Sequence, residues 1–305
     1  MRLATYRTDG GPRLGVVRDE QIIDVASLAG FAPTITMLDL IEQGQEGLAR
    51  LRQAITSASA ALLQQQGAIY PLTEAHLLAP IPRPRRNIFC LGRNYVEHAL
   101  ESTIARGGSG EVPEDPIFFT KATTTVSGPY DPLWIDPTVS TQMDWEVELG
   151  VVMGRSGKNI PAAQALDAIF GYTVINDVSA RDLQARHKQW FKGKSLDGSC
   201  PMGPWIVTAD ELADPHALNL RLSVNGVVKQ ASNTRLLIYN LPVIIETLSA
   251  GLTLEAGDII ATGTPAGVGF ARQPPEYLQP GDVVEAEVEG IGRLRNPVAR
   301  LEAGR

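Results

Sequence analysis

Acidic side chains alternate with apolar ones in the stretch 144–154, which reads DWEVELGVVMG. If this stretch is a strand, Asp144, Glu146 and Glu148 lie on one face, with about 6.5 Å between successive acids. Two bare carboxylates at that distance repel each other by about 2.5 kcal/mol at an effective dielectric constant near 20. Such a face must either meet solvent or be neutralised by a cation or by basic side chains.

The sequence leaves both alternatives open at this point. In one alternative, the acids are exposed to solvent, and Trp145, Val147 and Leu149 face the core. Against it, the strand continues into the apolar run 150–153, which is typical of a strand buried on both faces. A further acid, Asp177, ends the apolar segment GYTVIND. An E-x-E pair and one aspartate would supply three hard oxygen ligands, which suit Mg²⁺, Mn²⁺ or Ca²⁺.

His98 and Glu101 are a second candidate pair, because residues three apart share one face of a helix. The alternative is a solvated contact between two surface side chains. Arg181, Gln184 and Lys194 are further polar candidates, although the segment SARDLQARHK can also be an ordinary charged surface. Lys194 and its neighbour Lys192 can likewise be a solvated pair.

Two other features do not indicate a chemical site. The segment GTPAGVG (263–269) lacks the Lys-Ser/Thr of a phosphate-binding loop, so a tight turn is its simplest role. Cys90 and Cys200 are in no metal-binding spacing and are expected to be reduced, buried thiols.

The pattern of elements favours an α+β fold that is mainly β. Strand-like runs dominate after residue 87, without regularly intervening helices, so a doubly wound parallel sheet is not expected. We expect residues 1–75 to form a small N-terminal α+β domain and residues 76–86 to form a proline-rich linker. Residues 87–305 are expected to form the main domain. In the first unit, the helical pattern 36–66 is expected to split into two helices near Gly44 and Gly47. Asn225-Gly226 predicts a hairpin turn. The strongest predicted strands are 88–92, 116–126, 144–154, 170–178, 204–209, 220–230, 258–264 and 281–298, and the predicted helices are 94–105, 161–170, 180–188 and 243–248.

Composition excludes some classes of partner. The chain has 305 residues, 44% of them hydrophobic, and a formal net charge of -7. An acidic surface repels phosphate backbones, so nucleic acid is not an expected partner. No apolar run is long enough to span a bilayer, and the first residues do not resemble a signal peptide, so we expect no membrane association and a cytoplasmic location.

Six motifs, in this order, are similar to those of the fumarylacetoacetate hydrolase family: IFCLGRNYVEHALE, DWEVELGVVMG, GYTVINDVSARDLQ, WFKGKSLDGSCPMGP, LSVNGVVKQ and GDIIATGTPAGVG. The resemblance covers roughly residues 80–300. It implies a mixed β-sandwich or β-roll catalytic domain and a homodimer. It also implies that Glu146, Glu148 and Asp177 hold a divalent metal, Mg²⁺ or else Mn²⁺ or Ca²⁺, while Asp144 has a structural role.

The resemblance assigns roles to the other candidates as well. His98 and Glu101 match a pair that activates water, and Lys194 matches a catalytic lysine. Arg181, Gln184 and Thr264 match positions that face the substrate. The segment 102–115 is either a lid or an ordinary loop.

The function implied is hydrolysis of a C–C bond in an acylpyruvate-like 2,4-dioxo acid, through a metal-stabilised pyruvate enolate. The family also includes oxaloacetate decarboxylases, 2-hydroxymuconate-type isomerases and keto-acid lyases, and the same site would serve them. A non-catalytic keto-acid binder is less favoured, because the ligands, the dyad and the lysine are all present. In each case the expected partner is a small 2-oxo acid.

Overall fold

The computed structural model describes residues 1–301, which contain twenty-one β-strands and eight α-helices. The strands are β1 (Arg2–Thr8), β2 (Gly11–Arg18), β3 (Gln21–Asp24), β4 (Ile69–Pro71), β5 (Leu77–Leu78), β6 (Ile88–Gly92), β7 (Ile117–Lys121), β8 (Val126–Ser127), β9 (Leu133–Ile135), β10 (Met143–Asp144), β11 (Val147–Met153), β12 (Gly157–Lys158), β13 (Ile169–Asn176), β14 (Ser179–Ala180), β15 (Cys200–Thr208), β16 (Asn219–Val224), β17 (Val227–Asn233), β18 (Thr253–Leu254), β19 (Ile259–Ala261), β20 (Val283–Val288) and β21 (Gly292–Arg300). The helices are α1 (Met37–Glu42), α2 (Gly44–Ser57), α3 (Ala60–Gln65), α4 (Val96–Ala105), α5 (Ala162–Ala165), α6 (Arg181–Arg186), α7 (Phe191–Lys194) and α8 (Leu241–Ser249).

The main sheet has the strand order β4-β3-β2-β1-β15-β13-β11-β19-β6-β7, with β5 joined to β1 and β8 joined to β15. Along this path every neighbouring pair is antiparallel except β19 with β6. The expected α+β, mainly β fold is therefore confirmed, and the sheet is not of the doubly wound parallel type.

A second sheet covers one face of the first. Its order is β17-β16-β20-β21-β9. Leu222 of β16 and Ala286 of β20 lie in the same buried apolar cluster as Val147, Leu149 and Val151 of β11. This packing makes a β-sandwich, in which side chains from two inner faces form one core.

Strand β11 is the element that positions Glu148 relative to this core. Its odd-numbered residues from Val147 to Met153 face the second sheet, whereas Val152 packs in the cluster formed with the N-terminal helices. Because successive side chains of a strand alternate, Glu148 lies on the opposite face from Val147 and Leu149. Strand β13 pairs with β11 in antiparallel register, with Val147 opposite Asn176. Asp177 therefore follows β13 directly beside Glu146, and its N–H donates to the Glu146 carbonyl at 2.9 Å.

The N-terminal residues extend the main sheet. Strand β1 pairs with β15, with Arg2 opposite Val207 and Leu3 opposite Ile206. Leu40 of α1 and Leu48 of α2 pack in the cluster that also contains Ile206. The boundary at 76–86 stays a prediction, and residues on its two sides share one sheet and one apolar cluster.

The prediction that residues 144–154 form a single strand is wrong. Strand β10 ends at Asp144 and β11 begins at Val147. The Trp145 N–H is taken by the Asp144 carboxylate at 2.8 Å, and the Glu146 N–H by the Asn176 side chain at 3.0 Å. Side chains thus replace ladder partners at these two residues. The alternative of an exposed acidic face is also wrong, since these acids are buried.

Other boundaries differ for local reasons. The helical region 36–66 forms three helices, not two. Gly44, with φ of 56°, marks the first break as expected, whereas Gly47 lies inside α2. Ser59 makes the second break by capping α3 through the Leu62 N–H. The predicted helix 161–170 ends early, because β13 begins at Ile169, and the run 281–298 is a hairpin of β20 and β21.

The Asn225-Gly226 turn was predicted correctly. These residues join β16 to β17 and have φ angles of 52° and 77°. Asparagine and glycine tolerate this left-handed region, which a two-residue hairpin turn requires. Among the described helices, none is long and apolar enough to cross a membrane.

Candidate active site

Three acids form a compact buried cluster at the edge where β11 and β13 meet. Glu146, Glu148 and Asp177 each place a carboxylate oxygen within 4.8 Å of the other two. Their exposed fractions are 4%, 1% and 0%. Glu146 lies in the break before β11, Glu148 lies on β11, and Asp177 follows β13. The three residues expected to bind a metal are therefore brought together, from two segments about thirty residues apart.

Three basic side chains compensate part of this negative charge. Lys194 Nζ lies 2.6 Å from a Glu146 oxygen and 2.7 Å from Asp177 Oδ2. Arg181 donates to Glu146 at 2.6 Å and to Asp144 at 2.8 Å. Despite burial, Lys194 and then Arg181 lower the pKa of Glu146 to about 2. The cationic side chains therefore hold Glu146 ionised.

Lys121 is the third cation, and its side chain is fully buried. Its Nζ lies 2.8 Å from Asp177 Oδ1 and donates to the Val178 carbonyl at 3.1 Å and to Ser199 at 3.3 Å. The contact with Asp177 is an ion pair without hydrogen-bond geometry, so Oδ1 has no hydrogen-bond donor within the described chain. This buried oxygen keeps a lone pair available for a cation.

Glu148 is the carboxylate that the cations leave uncompensated. Four carboxylates (Asp144, Glu146, Glu148 and Asp177) meet three cations (Lys121, Arg181 and Lys194), which leaves one surplus negative charge. The hydrogen bond to Glu148 comes from the Gly263 N–H, at 2.7 Å. Burial, followed by the charges of Asp177 and Glu146, raises the pKa of Glu148 well above its usual value.

This donor set fits a divalent cation. Three converging carboxylates are the hard oxygen ligands that Mg²⁺, Mn²⁺ and Ca²⁺ prefer. A bound ion would favour the ionised form of Glu148, whose pKa is raised by burial and by the neighbouring acids. Asp144 lies outside this set, because its carboxylate is occupied by Arg181 and by the N–H groups of Gly269 and Phe270.

His98 and Glu101 form the expected pair on α4. His98 Nδ1 lies 2.9 Å from a Glu101 oxygen. Both Glu101 oxygens also accept from the Gly267 N–H, at 3.0 and 3.1 Å. The GTPAGVG loop therefore anchors the carboxylate that orients the imidazole. Since Glu101 engages Nδ1, Nε2 is the ring nitrogen left for a substrate.

His98, Glu146, Arg181 and Lys194 are among the residues that line one recess, which we call the acidic recess. Including the part that opens to solvent, it encloses about 350 Å³. It is lined by Leu91, Gly92, Arg93, His98, Ser102, Arg106, Phe119, Glu146, Arg181, Gln184, Trp190, Lys194, Thr264 and Phe270.

The three expected substrate contacts all lie in the acidic recess, but their polar groups are largely engaged. Arg181 contacts Asp144, Glu146 and Gln184. The Thr264 hydroxyl donates to the Val147 carbonyl and accepts from Gln230. These side chains therefore help to fix the acids and the surrounding loops in place.

Sequence reasoning missed several residues of the site. Lys121 ends the apolar strand IFFTK, and a lysine in such a run is itself a signal of a buried ion pair. Arg93 and Arg106 flank α4 and line the acidic recess, but no spacing in the sequence distinguishes them from surface arginines.

The cysteines are not part of this chemistry. Cys90 and Cys200 are free and buried. Burial raises the pKa of Cys200 to about 12 and that of Cys90 well above its usual value. A thiol that remains protonated is a poor nucleophile.

Comparison with known proteins agrees with this geometry. Residues 87–299 match the fumarylacetoacetate (FAA) hydrolase C-terminal family. The chain is 44% identical over 288 residues to the oxaloacetate tautomerase YisK of Bacillus subtilis, covering 93% of this chain and 94% of that protein. It is 40% identical over 304 residues to the human mitochondrial oxaloacetate tautomerase FAHD2A, covering 98% and 91%.

Solved structures give the same result. A fumarylacetoacetate hydrolase from Exiguobacterium antarcticum superposes with a TM-score of 0.82 at 39% identity, covering 99% of this chain and all of that one. The maleylpyruvate hydrolase of Sphingobium sp. SYK-6, in complex with manganese and pyruvate, has a TM-score of 0.76 at 33% identity, with the same coverage. The chain therefore belongs to the fumarylacetoacetate hydrolase family of enzymes.

Proposed function

We propose that this protein interconverts the keto and enol forms of oxaloacetate or of a similar short 2-oxo dicarboxylic acid. The observation that carries the proposal is that His98, paired with Glu101, lines the same recess as Lys194 and Glu146, and that Glu146 belongs to the cluster of three acids. Tautomerisation requires one proton-transfer group and a site that stabilises negative oxygen, and the acidic recess contains both. Relatives that match more than nine tenths of the chain are named oxaloacetate tautomerases.

His98 would move the proton. Because Glu101 accepts from Nδ1–H, Nε2 can take a proton from C3 of the keto acid, which breaks the C3–H bond. The imidazolium then returns that proton to the 2-oxo oxygen and completes the enol. Glu101, held by the Gly267 N–H, stabilises the charged imidazolium between these two steps.

Lys194 and the acids would act on the oxygen that becomes negative. Burial opposes the charged form of Lys194, but Asp177 and Glu146 raise its pKa above the usual value, so it remains an ammonium. A fixed cation beside a developing oxyanion stabilises it. We propose that Glu146, Glu148 and Asp177 hold Mg²⁺, Mn²⁺ or Ca²⁺, which when bound supplies Lewis-acid polarisation of the 2-oxo group.

Hydrolysis of an acylpyruvate-like 2,4-dioxo acid is the second candidate. The similar maleylpyruvate hydrolase supports it, and His98 could equally take a proton from water that attacks the distal carbonyl. Decarboxylation of oxaloacetate and isomerisation of a 2-hydroxymuconate would start from the same site. All four reactions pass through an enolate, and they differ in the bond whose cleavage forms that enolate.

The test follows the enol of oxaloacetate by its ultraviolet absorbance, with Mg²⁺-supplied protein, with chelator-treated protein and with His98→Ala. We expect acceleration of ketonisation by the Mg²⁺-supplied protein, loss with chelator, and a fall of about 100-fold or more with His98→Ala. NMR analysis of products from oxaloacetate and acetylpyruvate separates the alternatives. Pyruvate and acetate from acetylpyruvate would favour the hydrolase, and an unchanged enol decay would contradict the tautomerase.

Three further expectations from the sequence belong to this proposal. We propose a homodimer, a cytoplasmic location and a domain boundary at 76–86. Sedimentation of the purified protein tests the first of these directly. The segment 102–115 contains the last turn of α4 and an irregular connection to β7, and we propose that it is a lid.

A further inference from the structure

The positive charges of the acidic recess fall into two groups. Arg181 and Lys194 each contact two carboxylates of the chain itself. Arg93 and Arg106 line the same recess, but within residues 1–301 neither makes an ion pair with a carboxylate. Two arginines facing one small recess without an acidic partner form a place for an anion.

Arg93 is held in an unusual backbone conformation. Its φ angle is 56°, in the left-handed region that non-glycine residues rarely adopt. The next residue, Asn94, is fully buried and fixes this turn through hydrogen bonds with the Tyr239 backbone and the Thr262 carbonyl. On the other side, a Cβ at Gly92 would lie 2.2 Å from the Trp190 ring. Strain that the surroundings enforce in this way is common at ligand sites.

Arg106 ends α4, the helix that carries His98 and Glu101. Its guanidinium donates to the Gln184 side chain at 3.2 Å and stacks over the Phe270 ring at 5.4 Å. Burial, followed by the charges of Arg181 and Arg93, lowers the pKa of Arg106 below its usual value. The guanidinium therefore lies among like charges, which an anion bound beside it would relieve.

We propose that Arg93 and Arg106 bind the second carboxylate of the substrate and make the enzyme selective for dicarboxylic over monocarboxylic 2-oxo acids. This inference rests on the proposed function, because it identifies what the acidic recess recognises. The 2-oxo acid head would lie beside the three acids, Lys194 and His98. The second carboxylate would then meet the two arginines that no acid of the described chain neutralises.

The test compares oxaloacetate with its 4-methyl ester, which has the same carbon skeleton but no second negative charge. Arg106→Gln removes one charge at the C-terminal end of α4, and Arg93→Asn removes the other with a residue that tolerates a positive φ. Arg221→Gln, at an exposed position on β16, is the matched control. Thermal melting establishes that each variant is folded.

We expect wild type to prefer the diacid in kcat/KM, and each recess variant to lower that value for oxaloacetate about tenfold, mainly through KM. The kcat/KM for the ester should fall less than threefold, and the Arg221→Gln control should change the kcat/KM of neither substrate. Equal losses for both substrates would overturn the proposal, because a purely structural role affects them alike. Wild type without preference for the diacid would also overturn it.

Calorimetric binding to the Mg²⁺-supplied protein separates this inference from the proposed function. Tighter binding of the diacid than of the ester, lost in Arg93→Asn and Arg106→Gln, supports the arginine site even if neither compound is tautomerised. Turnover of both compounds with equal affinity would support the tautomerase and overturn the arginine site.

Discussion

At the scale of single residues, the described basic side chains balance only part of the negative charge of the acids. Lys194 bridges Glu146 and Asp177, and Lys121 and Arg181 add two cations, yet Glu148 has no cationic partner among the described residues. Buried charges are tolerated when they are paired. The uncompensated Glu148 is therefore the physical reason to expect an ion at this place.

Lys194 has two roles that compete in the structure. Its ammonium lies between two of the three acids that would hold the ion. An ion that binds these oxygens must weaken the contacts of Lys194 with them. The lysine then becomes available to the substrate, so ion binding and the position of this side chain are coupled.

Replacing Lys194 by methionine tests this coupling. The metal-free protein should lose about 3–5 kcal/mol of stability, because two buried carboxylates each lose one of their cationic partners. Added Mg²⁺ should then raise the melting temperature more than it does in wild type, since no ammonium has to be displaced. Melting curves with and without Mg²⁺ give both quantities.

Lys192→Met is the matched control, because Lys192 is exposed and two residues away on the same short helix. It should leave both melting temperatures close to those of wild type. If Lys194→Met melts like the control, or gains no more than wild type from Mg²⁺, the ammonium does not compete with the ion.

The sequence predicts the acids of the cluster better than it predicts the cations that compensate them. Glu146, Glu148 and Asp177 were predicted, because acids inside apolar strands are costly and therefore informative. The pairing of Lys121 with Asp177 joins residues 56 positions apart in the chain. A fold is needed to bring them together, and no local pattern indicates such a contact.

At the scale of elements, two short helices set the position of two cations of the acidic recess. Helix α6 carries Arg181 and Gln184, and α7 carries Lys194. They approach closely at Gly193, where a Cβ would lie 2.5 Å from the Gln184 nitrogen and 2.7 Å from the Ala180 carbonyl oxygen. Both contacts are with backbone, which cannot move aside as a side chain can.

Gly193→Ala should therefore push α7 away from α6 and displace the neighbouring Lys194. We expect a loss of about 1–3 kcal/mol of stability, as for other overpacked sites, and a fall in kcat for ketonisation. Chemical denaturation and enol kinetics measure the two effects. Gly10→Ala is the control, because a Cβ there meets only the Thr8 side chain, at 3.7 Å. Wild-type kcat in Gly193→Ala would show that the helix contact does not position the lysine.

Element boundaries show where sequence patterns are insufficient. Apolar alternation predicted β11 and β13, and Asn225-Gly226 predicted its turn. The break at Trp145 was not predicted, because it depends on the Asn176 side chain, thirty residues away from Glu146 in sequence. Long-range side-chain partners of backbone N–H groups thus account for the main error.

At the scale of the whole molecule, the N-terminal residues share their sheet with the strands that position the acids. Seven residues of β1 pair with β2, and β1 also pairs with β15, which neighbours β13. Leu3, Leu14 and Val16 pack in the cluster that contains Ile206 and Ile175. Asp177 follows the end of β13 by one residue, so this cluster supports the strand that positions a candidate ligand.

Removing residues 1–86 tests whether the catalytic part can fold alone. The fragment 87–305 would expose one edge of β15 and an apolar cluster face, and both features favour aggregation. We expect it to elute as large species in size-exclusion chromatography, without a cooperative thermal transition and without ketonisation of the enol. The full chain serves as the control, and co-expression of 1–86 with the fragment should restore part of the activity. A fragment that is monodisperse, melts cooperatively and is active would show that the catalytic domain is autonomous and that the shared sheet is dispensable.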